Sequence, residues 1–151
     1  MYDDPMLTSG NSEAAAFVIL MLMPLILLAF AGAYIFSSIA FMVFFKKIGV
    51  DAWKGWIPFY NVWLFLDHGK VRGPWSLTIL ASGIPYVGTL AGIAYTVFSA
   101  LAAYNFQKAF NKQSNALWLL LFIFFTPVWL LILGLGKDEY DESKLPEKYT
   151  V

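Results

Sequence analysis

The feature that most constrains this chain is an uncharged run of 32 residues, Ala14–Phe45. At about 1.5 Å per residue a straight helix of that length reaches about 48 Å, against a hydrocarbon core of about 30 Å. The run is expected to be a retained membrane span that tilts, bends at Pro24 or protrudes at one end. It exceeds a signal-peptide core of roughly 7–15 residues. Asn11 or Ser12 is the expected N-cap, with Glu13 in the first turn, and Lys46 and Lys47 stop the helix among the headgroups. Only 13% of the 151 residues are charged and 60% are hydrophobic, whereas a soluble domain carries about 25% charged residues. The fold class that follows is an all-α integral membrane protein. A single membrane domain, residues 14–136, sits between an acidic head, 1–13, and a charged tail, 137–151, expected to be poorly ordered unless a partner holds it.

A second uncharged run, Gly73–Gln107, is too long for one span and slightly short for two. Two glycines and Pro85 within Ser82–Gly88 place a break there. The reading is four membrane segments, 14–45, a short one at 74–87, 88–110 and 116–135, with three spans as the alternative. Trp53, Trp56, Tyr60 and Trp63 mark an interfacial helix over 53–67, since amphipathic rings favour the headgroup level. The Lys46–Arg72 loop carries five of the ten basic residues and is expected on the cytoplasmic side, with the N-terminus outside. Four segments put the tail outside and the Lys108–Lys112 loop inside. Three exchange the two.

Candidate chemistry is sparse. Without cysteine and with one histidine, thiol nucleophiles, disulfides and thiolate metal sites are excluded. Asp67 and His68 are sequence neighbours, which point apart on a helix and make a poor dyad. A metal at His68 with Asp67 and Asp51 lacks further ligands. The chain is expected to hold no catalytic residue, metal or cofactor. Zero net charge argues against nucleic acid. The spans hold no ionisable group of the kind that marks transport paths, only hydroxyls and Asn105. Gly88, Gly92, Ser99 and Ala103 make a smooth helix-packing face, usable inside the chain or against another protein.

The block Lys47-Ile48-Gly49, Trp53, Ile57-Pro58-Phe59-Tyr60-Asn61 resembles a K-x-G-x-x-x-W-x-x-x-I-P-x-Y-N pattern in a family of small bacterial membrane proteins of unknown function. Lys108-Ala109-Phe110-Asn111-Lys112 is similar to a second family element, with Asn111 in place of glycine. Gly88 stands where a second I-P-x-x-N asparagine is common. Physically, Gly49 suits a left-handed C-cap, Pro58 the first turn of the interfacial helix, and Asn61 a bond to exposed backbone. The resemblance implies a fold and no activity. Some members are associated with signal peptidase I-like proteins. The expectation is a structural or accessory subunit of a larger membrane complex, for instance a respiratory one, in the bacterial inner membrane. Its partners would be that complex and lipids, with no small-molecule substrate identified. A small oligomeric carrier or channel, and an assistant to an envelope-processing enzyme, are the alternatives.

Overall fold

A computed structural model describes residues 5–112 and 115–147, with side chains described from residue 13 on. The described elements are α1 (Pro5–Lys47), α2 (Tyr60–His68), α3 (Thr78–Ala81), α4 (Val87–Ala109) and α5 (Ala116–Leu135), with 3-10 turns at Ala52–Trp56, Gly73–Leu77 and Glu142–Lys144. Three helices are long and apolar enough to cross a membrane, over Glu13–Lys47, Val87–Ala109 and Ala116–Leu135. The chain is a helical membrane protein.

Two units divide it, Met1–Phe36 and Ser37–Val151. In the first, α1 already begins at Pro5, so Asn11 and Ser12 lie inside the helix and neither caps it. Proline opens a helix readily because its missing N–H would have had no intrahelical acceptor. Every residue from Glu13 to Phe36 is exposed.

The second unit is built on rings. Phe44 lies 4.9 Å from Phe106, 5.9 Å from Phe65, 6.1 Å from Phe110 and 6.2 Å from Trp129, so one side chain touches α2, α4, α5 and the residue that ends α4. Three helices stop in the same way. At Gly49, Lys70 and Asn111 the backbone turns left-handed, at φ 80°, 59° and 57°. The next amide in each case donates back to the helix, Val50 to Phe45, Val71 to Leu66 and Lys112 to Gln107, the Schellman arrangement. The left-handed C-cap anticipated at Gly49 is therefore formed, and Asn111 forms one where the resembling family has glycine.

Helix α5 doubles back. The Lys112 ammonium sits 5.7 Å from the Trp118 ring centroid and 2.6 Å from Asp138 Oδ2, so both ends of α5 meet the C-terminal end of α4. Thr126, between them, shares a cavity with Tyr95, Thr96 and Ser99, about 20 Å or more from Lys112 along α4 at the helical rise. The bend is at Phe125, φ −137° and ψ 50°, two residues before Pro127. Proline cannot donate to the carbonyl four residues back and disfavours helical backbone just before itself. The Thr126 hydroxyl donates to the Phe122 carbonyl at 2.6 Å, beside the bend. Each limb of about nine or ten residues extends only about 15 Å.

The tail differs from expectation. Tyr140 packs its ring 5.4 Å from Phe110, Leu145 is buried, the Asp141 amide donates to the Ala109 carbonyl, and Lys70 pairs with Glu142 at 3.1 Å. These contacts order residues 137–147 without a partner. They also put the tail, the Lys108–Lys112 turn and Lys70 at one end of the helices, whereas both span counts had separated the tail from the turn. The bend in α5, invisible to a length-and-hydropathy reading, is the reason. Two further boundaries move. The 74–87 segment is a 3-10 turn plus the four-residue α3, and the 53–67 helix is split into Ala52–Trp56 and α2.

Gly134 lies against α1, where an added Cβ would come within 3.0 Å of the Phe44 amide nitrogen and 2.8 Å of Val43 Cγ1, while at Gly92 nothing lies within 4 Å. Gly134→Leu is expected to destabilise the protein by about 1–3 kcal/mol, and Gly92→Leu by far less, read as unfolding midpoints in detergent. Burial, with the Glu142 charge, pushes the Tyr140 phenol up to about 12. Its contribution to tail docking is thus complete below the unfolded value of about 10 and lost as pH rises towards 12. The Lys112 bond holds the Asp138 carboxyl below its ordinary value, so that contribution is lost as pH falls through the lowered value. A fluorophore on Ser143→Cys should report a docked tail across neutral pH, with release in base above about pH 10 and in acid below the ordinary carboxylate range.

Candidate functional site

The Ile-Pro-aromatic sequence occurs twice, Ile57-Pro58-Phe59-Tyr60 and Ile84-Pro85-Tyr86-Val87, and the two copies share one backbone. Phe59 stands at φ 63°, ψ −40° and Tyr86 at φ 66°, ψ −42°. In each the following amide donates to the proline carbonyl, Tyr60 to Pro58 at 2.7 Å and Val87 to Pro85 at 2.8 Å. This is a tight γ-turn, a rare and strained form. A helix starts at once in both cases, with Asn61 donating to the Ile57 carbonyl and Gly88 to the Ile84 carbonyl. Pro58 therefore lies outside α2, two residues before its first helical residue, because the γ-turn occupies the position expected for the first turn.

The residue after each turn explains the difference between the copies. Asn61, 7% exposed, donates its amide to the Gly55 carbonyl at 3.2 Å and accepts from the Val62 amide at 2.7 Å. At Gly88 an added Cβ would collide with the Ser82 carbonyl oxygen, which stands six residues back just as Gly55 does from Asn61. The second copy has closed onto that carbonyl and leaves no room for an asparagine. Gly55 in turn lies directly against the α1 backbone at Met42, so Asn61 secures the loop that packs there.

The remaining motif residues separate into structural and exposed groups. Lys47 donates to the Gly136 carbonyl at 3.0 Å, joining the ends of α1 and α5. Ile57, Trp53 and Tyr60 are exposed, Trp53 at 61%. Of the packing face, Ala103 and Ser99 are buried within the chain and Gly88 meets Ser82, which leaves only Gly92 open. Asn105 donates to the Gly69 carbonyl at 2.7 Å and ties α4 to the end of α2.

The polar positions of α4 and α5 converge on one cavity of about 100 Å³, lined by Tyr95, Thr96, Ser99 and Thr126 with Phe41 and Phe65 among its apolar walls. Thr96 and Thr126 spend their hydroxyls on their own helices, on the Gly92 and Phe122 carbonyls. Ser99 Oγ is buried and faces the Tyr95 hydroxyl. The space suffices for several waters or a small polar group. Asp67 and His68 end α2, with His68 Nδ1 directed to the Leu64 carbonyl at 2.9 Å. Among the described residues no three His, Asp or Glu side chains gather as a metal site. Sequence reasoning missed the strained aromatics Phe59 and Tyr86 and the union of Ser99 with Thr126. The repeated Ile-Pro-aromatic pattern was the available signal for the first pair. Nothing in the sequence pointed to the second, which depends on the bend.

Removing the Asn61 amide leaves the Gly55 carbonyl without its donor at a buried turn, so Asn61→Ala should cost about 1–3 kcal/mol. Thermal unfolding in detergent measures it, and an unchanged midpoint would assign Asn61 another role.

Comparison with the curated proteins and with the solved structures found no match. The profile of a family of unknown function, DUF5684, matches residues 53–143, from the first loop tryptophan to the docked tail. That stretch contains both γ-turns, the cavity-bearing faces of α4 and α5 and most of the described tail, and the chain belongs to this family.

Proposed function

We propose that the protein is a non-catalytic accessory subunit that packs within a larger complex of the bacterial inner membrane. The observation that carries this reading is the state of α1. From Ala14 to Phe36 it is apolar and exposed on every side, and among the described residues nothing lies within 4 Å of the Cβ position at Gly32 between Ala31 and Ala33. Within lipid there is little hydrophobic force between helices, and close backbone approach at small residues is what favours association. Purification in mild detergent should yield the chain with a fixed stoichiometric set of membrane proteins, and Gly32→Leu should release them while the chain stays inserted. A lone oligomer in both preparations would overturn the reading.

We also infer the orientation. The nine described basic residues outside the first unit, from Lys46 to Lys144, fall in the Lys46–Arg72 loop, the Lys108–Lys112 turn and the tail, which the Lys70–Glu142 and Lys112–Asp138 pairs hold at one end, and the positive-inside rule assigns that end to the cytoplasm. On this reading the chain crosses in α1, in the broken passage from Gly73 to Tyr86 and in α4, while α5 is re-entrant. The N-terminus lies outside and the tail inside. Single cysteines at Ala52 and Ser143 should both resist a membrane-impermeant thiol reagent in intact cells, and a reactive Ser143→Cys would overturn the re-entrant assignment.

A second reading is favoured by the cavity. Irregular backbone at membrane depth is tolerated where it lines a protein-enclosed space, and the bend in α5 adjoins Ser99 and Tyr95. An oligomeric carrier would use these hydroxyls, and Ser99→Val would then abolish its flux in vesicles without dissociating the assembly.

A further inference from the structure

A groove of about 610 Å³ runs between the last turns of α1, the Ala52–Trp56 turn and the end of α5, lined by Met42, Val43, Lys46, Lys47, Ala52 and Leu135. Its chemistry is divided by depth. Lys46 and Lys47 stand at its head, where the uncharged run of α1 ends, and Met42, Val43 and Leu135 form apolar walls below. Leu135 is 73% exposed among the described residues.

The charges at the head have no direct ion pair among the described residues, although the Asp138 carboxylate feels the Lys47 charge. The acids on the adjoining elements are already engaged, Asp51 with Lys54 at 2.9 Å and Asp138 with Lys112 at 2.6 Å. Lys46 is exposed and, among the described residues, neither Lys46 nor Lys47 belongs to an ion pair. Lys47 donates one N–H to the Gly136 carbonyl at 3.0 Å, and an ammonium carries two more donors. The groove is thus a cationic, donor-rich head on an apolar trough, flanked by the exposed Trp53 and Trp56 rings. Its walls are held in register because Gly134 brings α5 into backbone contact with α1 at Phe44.

We propose that this groove binds one anionic phospholipid, with its phosphate held by Lys46 and Lys47 and an acyl chain lying along Met42, Val43 and Leu135. Basic pockets between membrane helices on the cytoplasmic side take anionic headgroups. A free phosphate would leave the trough unfilled, and a zwitterionic lipid would carry its own cation to the two lysines. The occupant that satisfies both halves is a lipid with net negative charge.

The full chain, purified in a mild non-ionic detergent, should retain one phosphatidylglycerol per chain by native mass spectrometry. Short-chain phosphatidylglycerol should raise its unfolding midpoint, whereas phosphatidylcholine or inorganic phosphate at equal concentration should not. Lys46→Gln should weaken phosphatidylglycerol binding about fivefold, Lys46→Arg should restore it, and Lys108→Gln, on a different groove with its ammonium over Tyr104, should leave it unchanged. Circular dichroism of Lys46→Gln confirms that the variant is folded. Because Lys47 also joins two helices, Lys46 bears the decisive test. Equal protection by phosphatidylcholine, protection by phosphate alone, or equal losses in Lys46→Gln and Lys108→Gln would each overturn the proposal.

Discussion

The side chain on which the second unit depends is Phe44. Its ring faces Phe65 on α2, Phe106 on α4 and Trp129 on α5, and its backbone is the surface that Gly134 approaches. Lipid tails are as apolar as these rings, so burial alone does not hold such helices together. Edge-to-face contact does part of that work, as between Phe44 and Phe106 at an interplanar angle of 88°. The rest comes from close backbone approach, at Gly134 on α1 and at Gly69 on Ala102, and from the few side-chain amides that reach backbone carbonyls, Asn105 and Asn61.

The prolines show how such a chain departs from helix without leaving polar backbone unsatisfied. At Pro58 and Pro85 the strained γ-turn lets the next amide use the proline carbonyl, so the following helix starts with its first donor occupied. Beside Pro127 a threonine hydroxyl donates to the Phe122 carbonyl, in the turn that the bend at Phe125 disrupts. Breaks in lipid have to be repaired locally in this way, because no water is present to do so. Each repair also aims the chain. The second γ-turn starts α4, and the bend at Phe125 returns α5 to the end it came from. The mid-depth cavity lies where these two consequences meet, and the charged tail can dock on α4 only because α5 returns.

Much of this was legible beforehand, and particular residues say why. The span of α1, the stop at Lys46 and Lys47, the left-handed cap at Gly49 and the start of α4 near residue 88 are local matters of hydropathy, charge and backbone freedom. The break at Ser82–Gly88 was readable from glycine and proline density. What could not be read was direction. Pro127 announces a disturbance in an apolar helix, but the same residue allows a shallow kink or a reversal. Which one occurs depends on whether Trp118 and Asp138, 20 residues apart, can both reach Lys112.

The amino-acid sequence by itself thus determined the solvent, the helical class and the places where helices end, because those depend on side-chain transfer and on φ preferences of single residues. It also set a sparse stock of reactive side chains, since cysteine is absent and the spans carry charge only at their ends. Only the tertiary structure decided that α5 returns, that the tail is docked, that Ser99, Tyr95 and Thr126 share one space, and that Lys46 and Lys47 overhang an apolar groove. Each of these is a pairing between residues far apart in the chain. Such a pairing is chosen by which ring fills which gap and which carbonyl lacks a donor, quantities that no local window contains.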